Sequence, residues 1–288
     1  MTNAVAPSPP QPAHALLQRS AAAPADCLPG IFLLPGGYVD ESGKVHDEVE
    51  LAPLTGLDES MLANLDPQIC AASVVTALLA RCIKRIGSLH TVDASLVSEL
   101  LVADRDYLIV MLRRLTLGPK VDCVLQCSDP NCGKLMDLTF SVDELEFERR
   151  PVEQRYVTIN LRRDAEGLEA EGSVSSVEIR FPNGADQEDC APLFLTDKEA
   201  AVTKLLSRCI RRIDDCLVVD SEKVAGLGQA KRVELEERLG QLAPDVEIEI
   251  QASCLECQRS LDLGFDLLSF FLKELLTSIR NVERDVHY

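Results

Sequence analysis

The 288-residue sequence predicts an α+β fold built as one module repeated in tandem, each copy holding antiparallel strands, packed helices and a cysteine knuckle. Three observations carry this expectation. Blocks of similar residues recur at a nearly constant offset, apolar residues follow helical spacing between shorter strand-like runs, and each half contains a closely spaced cysteine pair near its end.

The repeat is clearest around Leu78-Leu-Ala-Arg-Cys-Ile-Lys-Arg-Ile, which matches Leu205-Leu-Ser-Arg-Cys-Ile-Arg-Arg-Ile. Cys82 and Cys209 lie 127 positions apart, and so do Cys127 and Cys254. Val49-Glu-Leu answers Val177-Glu-Ile, Gly56 with Asp58 answers Gly184 with Asp186, and Met136-Asp-Leu-Thr-Phe answers Leu261-Asp-Leu-Gly-Phe. Four separated blocks in near-constant register are hard to produce by chance.

Within the first copy, Ile31 to Leu34 reads as a strand, Pro35-Gly36-Gly37 as a turn, and Asp40 to Lys44 as a polar loop leading to Val49-Glu-Leu. Leu78, Leu79, Cys82, Ile83 and Ile86 fit one helical face. A second helix is expected after Asp104 as N-cap, running through Leu108, Met111, Leu112 and Leu115 to a stop at Gly118-Pro119. Tyr156 to Leu161 and Val177 to Phe181, joined by the Gly/Glu-rich stretch from Asp164 to Ser176, open the second copy as a hairpin. The expected divisions are a disordered Pro/Ala-rich tail over 1–29, a first module over 30–150 and a second over 151–288, with the boundary near Arg149 to Gln154. Phe270 to Ile279 is apolar at helical spacing and reads as core rather than a docking helix, while Glu283 to Tyr288 is polar enough to meet a partner.

Composition narrows the function. Hydrophobic residues make up 46% of the chain and charged residues 26%, a globular balance. The formal charge of -18 repels nucleic-acid phosphates and anionic lipid, so neither is expected as a direct ligand. No apolar run reaches the roughly 18 residues of a membrane span. Without a basic-then-apolar leader, synthesis in the cytoplasm is expected. In that reducing compartment the 11 cysteines point to metal rather than a disulfide framework.

The metal-binding chemistry is expected in Cys127-Ser-Asp-Pro-Asn-Cys132 and Cys254-Leu-Glu-Cys257. Thiolates separated by two to four residues can share one tetrahedral Zn, but each pair fills only half of a structural site. The simplest solution joins them into one four-thiolate centre on Cys127, Cys132, Cys254 and Cys257. Strand-like flanks make each pair half of a zinc ribbon, so that the metal would clamp one copy onto the other. Zinc is the one cofactor expected. Cys123 falls opposite Ile250 under the repeat and reads as packing; Cys70, Cys82 and Cys209 read as small buried hydrophobes. A thiol-redox role for Cys254 and Cys257 would want a helix N-terminus, which the strand-like flanks do not offer. The four histidines stand at no metal-ligand spacing from one another, and no phosphate loop, H-E-x-x-H or G-x-S-x-G is present. Asp104-Arg-Asp106 reads as helix capping and first-turn charge. No catalytic or small-molecule site is expected.

Taken in order, Leu34-Pro-Gly-Gly-Tyr, Val49-Glu-Leu-Ala-Pro-Leu-Thr-Gly, Asp58-Glu59, Leu78 to Ile86, Ala103-Asp-Arg-Asp-Tyr-Leu, Leu112-Arg-Arg-Leu-Thr-Leu-Gly and the knuckle resemble the T-even-type phage baseplate protein family. The resemblance covers residues 31–145 closely and, through the repeat, 156–280 more loosely. It implies a non-enzymatic part of the baseplate or hub of a contractile phage tail or phage-tail-like injection system, or a factor that assembles it. Its implied partners are other baseplate, hub or spike proteins, and its implied destination after cytoplasmic synthesis is the particle. The second copy departs from the pattern, since Lys231-Arg-Val-Glu stands in place of Asp104-Arg-Asp-Tyr and its knuckle is two residues shorter. The alternative function is a zinc-ribbon adaptor or regulator outside any particle.

Overall fold

Helix passes directly into strand at Cys82, and this junction organises the first half of the chain. In the computed structural model, which describes residues 30–66, 68–161, 174–217, 220–244, 246, 248–266, 268–275 and 277, helix α2 (Ala71–Cys82) ends and strand β3 (Ile83–Ile86) begins at the next residue. The sequence expectation of a helix through Ile86 is corrected here. In β3 the pairing register slips, with Leu51 opposite Ile83 but Glu50 opposite Arg85, so one extra residue lets both Ile83 and Ile86 face inward. A bulged strand thereby acquires a spacing of three that imitates a helix.

Before this junction lie β1 (Gly30–Val39), β2 (Val45–Leu51) and α1 (Gly56–Ala63). The strand order is β1-β2-β3, all antiparallel. Pro35-Gly36-Gly37, expected as a turn, lies inside β1, where the register with β2 shifts between Leu33 and Tyr38. The chain reverses instead at Asp40 to Lys44, whose amides at Ser42 and Lys44 donate to the Asp40 carboxylate. Beyond β3 come α3 (Ala94–Glu99), α4 (Val102–Leu117), β4 (Lys120–Gln126) and β5 (Leu135–Ser141).

Asp104 does not cap α4. The N-cap is Leu101, and the Asp104 carboxylate accepts from the backbone amides of Gly36 (2.7 Å) and Gly37 (2.9 Å). It thus occupies the bulge of β1 and satisfies two donors that the irregular ladder leaves over. Burial raises its carboxyl to about 7, against the lowering pull of those two amides.

The later part of the chain contains β6 (Val157–Asn160), β7 (Ser176–Ile179), α5 (Gly184–Phe194), α6 (Lys198–Cys209), β8 (Ile210–Ile213), β9 (Cys216–Leu217), α7 (Ser221–Gly226), α8 (Gln229–Leu242), β10 (Glu249–Ser253) and β11 (Ser260–Gly264). A four-stranded antiparallel sheet has the order β6-β7-β8-β9, and β4-β5 and β10-β11 each form a separate hairpin. The fold is therefore α+β, with antiparallel sheets and packed helices. The expected tail over 1–29, nearly all of the Gly/Glu-rich stretch and Glu283 to Tyr288 fall outside the described residues.

Two apolar cores hold these elements. One contains Ile159, Val177, Ile179, Leu206, Ile210 and Leu235. The other gathers Leu34, Val49, Leu78, Leu108 and Leu112, and also takes in Ile248, Phe271 and Leu275 from the end of the chain. Helical residues 268–275 thus complete the core of the first sheet, anchored by the Arg113–Glu274 ion pair at 3.2 Å and the edge-on contact of Phe265 with Phe140. The apolar terminal segment is core, as expected for its described residues. Each fully buried Phe or Leu contributes about 1.5–3 kcal/mol.

The two parts of the chain also meet along α4 and α5. Val102 N donates to Pro182 O and Gly184 N to Leu100 O, both at 3.1 Å. Arg105, fully buried, donates from Nη2 to Ala72 O (2.6 Å) and Thr76 Oγ1 (2.9 Å), with the Glu188 carboxylate 3.9 Å from Nη1. Gly184 is packed so closely that a Cβ there would lie 1.0 Å from Arg105 Nη1. The segment Arg149 to Gln154 lies against β1, with the amides of Arg150 and Val152 donating to Pro35 O and Gly36 O.

Candidate metal centre

Hairpins β4-β5 and β10-β11 each carry a cysteine pair in the loop that joins their strands. In the first, seven residue pairs from Lys120↔Ser141 to Gln126↔Leu135 deliver Cys127 directly beyond the last pair. In the second, Glu249↔Gly264 to Ser253↔Ser260 deliver Cys254 in the same way. The Cys127 amide donates to Lys134 O at 2.8 Å and the Cys254 amide to Arg259 O at 2.9 Å, so each loop closes one residue past its strands. The residue after the second cysteine is left-handed in both, Gly133 at φ 56° and Gln258 at φ 61°. This conformation turns the chain back sharply enough for both sulfurs of a loop to face one point.

The four sulfurs of Cys127, Cys132, Cys254 and Cys257 lie within 4.8 Å of one another. The closest pairs cross between the loops: Cys127 to Cys257 is 3.7 Å and Cys132 to Cys254 is 3.8 Å. Both are far beyond a disulfide bond of about 2.0 Å. They match instead the edge of a tetrahedron of sulfurs around one ion, about 3.8 Å for metal–sulfur bonds of about 2.3 Å. Cys127 and Cys254 are buried, Cys132 is half-buried and Cys257 exposed, so the cluster sits at the surface with its inner side sealed. All four sequence-predicted residues are brought together, and the arrangement could hold a metal ion.

Electrostatics favour a cation there. The amides of Cys257 and Glu256 donate toward the Cys254 sulfur and bring its thiol down to about 7. At Cys127 the Asp129 amide also lowers the pKa, but burial and the three neighbouring sulfurs outweigh it and push the thiol up to about 12. Cys132 is raised as well; the Lys134 amide lowers its pKa, and burial with the sulfurs of Cys254 and Cys257 overrides it. One thiolate forms readily and the next are opposed by its charge. A divalent ion removes that opposition, because metal binding and thiol deprotonation are coupled.

The sequence reading missed the contact that joins the loops outside the sulfurs. Asp129 turns its own loop by accepting from the Asn131 amide (3.0 Å), and its other carboxylate oxygen pairs with Arg259 of the second loop at 3.3 Å. An acidic residue in one knuckle and a basic residue after the other were its only sequence signal. Such outer contacts orient ligands. Cys123 is buried against the strand pair, as expected for packing, and Cys82 and Cys209 are core. Cys70 is a half-buried N-cap of α2 with its sulfur 3.2 Å from Ser73 Oγ, which corrects its expected core placement.

No helix among the described residues is long and apolar enough to cross a membrane. No curated protein and no solved structure matches the chain. A family model described as T4 bacteriophage base plate protein matches residues 39–272, from the last residue of β1 into the terminal helical segment. That match takes in every strand from β2 to β11, both knuckles and the cysteine cluster, and the chain belongs to the T4 bacteriophage base plate protein family.

Proposed function

We propose that this chain is a non-enzymatic structural or assembly component of the baseplate or hub of a contractile phage tail or phage-tail-like injection system. In this reading its halves are two copies of one module, clamped by a single zinc on Cys127, Cys132, Cys254 and Cys257. The observation that carries it is the convergence of four sulfurs, from loops 122 positions apart, at the spacing of a tetrahedral site in a member of a baseplate family. Four thiolate ligands at that geometry favour zinc over hard cations such as magnesium or calcium, which take oxygen ligands.

Support for the duplication comes from matched irregularities rather than matched elements alone. The bulge between β2 and β3, at Glu50 and Leu51, has a counterpart between β7 and β8 at Glu178 and Ile179. Thr55 with Asp58 and Asn183 with Asp186 form capping boxes at the starts of α1 and α5, and Arg81 and Arg208 at the ends of α2 and α6 pair with those same aspartates. Buried Arg105 donates to Thr76 and buried Arg232 to Thr203, a shift of 127 at both residues. Regular elements recur in unrelated folds, but shared irregularities at offsets of 127 or 128 argue for common descent.

The test is deletion of the gene in its native host. The reading expects loss of assembled baseplates, and either the chain in purified particles at fixed stoichiometry or a transient complex with hub subunits. Normal contractile particles that neither contain nor need the chain would contradict it and leave an adaptor or regulator outside the particle.

A further inference from the structure

A wide cleft among the described residues opens between the two parts of the chain, with a volume of about 1140 Å³. Its walls are the first half of α4, the start of α5, residues of α6 from Val202 to Cys209, the last turns of α8, and the base of β10-β11 with the helical segment that follows. This exceeds the roughly 300–1,000 Å³ of a small-molecule pocket. The lining is mainly apolar, from residues such as Val202, Leu205, Leu239 and Leu268.

Its charges are all of one sign. Asp106, Glu236 and Asp266 line the cleft, and no Lys or Arg does so among the described residues. Asp106 projects from α4 with no hydrogen bond or ion pair among the described residues, although its neighbour Arg105 is fully buried and Asp104 is occupied by the β1 bulge. Burial holds its carboxyl up at about 6, with Asp266 adding to the rise and the charge of Arg105 only partly opposing it, a cost that a basic partner would relieve.

We propose that this cleft is a docking groove for an amphipathic segment of another protein, seated by its apolar face with a lysine or arginine reaching Asp106. Size, apolar walls and one-signed charge together select that occupant: an acidic segment would be repelled, and a small metabolite would leave most of the apolar wall wet. Naming the source as a neighbouring particle subunit rests on the baseplate reading; the groove and its preference do not.

The probe is an amphipathic peptide of about 18 residues with leucines at i, i+3, i+4 and i+7 and lysines beside them, titrated against the full chain by fluorescence anisotropy. Gly240 lines the cleft and a Cβ there meets nothing within 4 Å, so Gly240→Phe projects a ring into the groove from an unobstructed backbone position, and an unchanged far-UV spectrum checks the fold. The expectation is that Gly240→Phe, and separately Asp106→Asn with Glu236→Gln, weaken binding by about tenfold or more. Neutralising the exposed Glu41 and Glu146 is the control for attraction to overall charge, and changes binding less than about twofold. Equal weakening by both acid pairs, or peptide binding indifferent to Gly240→Phe, overturns the groove. A concentration-dependent dimer of the chain alone, abolished by Gly240→Phe, also overturns it by making a second copy the occupant. Failure here leaves particle assembly in the gene deletion unaffected, so the two readings fail separately.

Discussion

The sulfur of Cys132 lies 3.8 Å from that of Cys254, although 122 positions separate the two residues. Neither loop alone offers more than two sulfurs, so the cluster exists only when both hairpins have folded and the chain between them has brought them together. Closing so long a loop is opposed by chain entropy that grows slowly with length, and a bound ion would be the contact that offsets it locally. Under the proposed clamp, metal affinity and the folding of both halves would be linked as one equilibrium.

The first prediction concerns the left-handed residues of the knuckles. Gly133 adopts φ 56° at no steric cost, whereas Gln258 adopts φ 61° with a side chain. Gln258→Gly is expected to stabilise the protein by about 0.5–1 kcal/mol, and Gly133→Ala to destabilise it by a similar amount. Thermal melts of the two variants in the same buffer check the opposite signs.

Gly184 gives the second. A Cβ there would meet the Arg105 guanidinium at 1.0 Å, and that guanidinium is fully buried and tethered by Ala72 O and Thr76 Oγ1. Gly184→Ala is expected to cost about 1–3 kcal/mol in denaturant unfolding. Combining it with Arg105→Met should cost less than the sum of the two single changes, because both act on one contact. Strict additivity would mean that the two residues do not share it.

Phe271 supports a third. It is fully buried in the core of the first sheet although it comes from the end of the chain. Phe271→Ala is expected to lose about 3–5 kcal/mol. Hydrogen exchange should show the loss in α4 and its neighbours, not only in the terminal helical segment. Confinement of the effect to that segment would contradict its role in the shared core.

The fourth is a pH dependence. The folded Asp104 carboxyl titrates at about 7, above its ordinary value of 3.8. Folding therefore takes up a proton between these values, so the stability it contributes is full below 3.8 and is lost as the pH rises through 7. Asp104→Asn should destabilise the protein most at pH 5 and progressively less toward pH 8, because the wild type alone loses this contribution. Melts at constant ionic strength and excess zinc, read as the difference between the two proteins, test the slope.

Much of the candidate site was legible in the sequence because its signal is local. Two short cysteine spacings between strand-like flanks specify two half-sites whatever lies between them, and Cys123 could be set aside because its counterpart is Ile250. The fold was less legible where irregular backbone decides the outcome. Ile83 and Ile86 looked helical because a bulge turns the strand period of two into three. Asp104 looked like a cap because aspartate is common there, while its real partners, the amides of Gly36 and Gly37, lie 68 and 67 positions away. The apolar cleft could not be read at all, since its walls are brought together from α4, α5, α6 and α8 only by tertiary packing.

The most direct test of the central claim is elemental analysis of purified full-length protein, repeated with Cys127→Ser and Cys254→Ser. The account predicts one zinc per chain, lost in either single variant, because each loop supplies half of the ligands. No zinc in the wild type, or zinc retained after one of the two substitutions, would contradict a shared four-cysteine clamp.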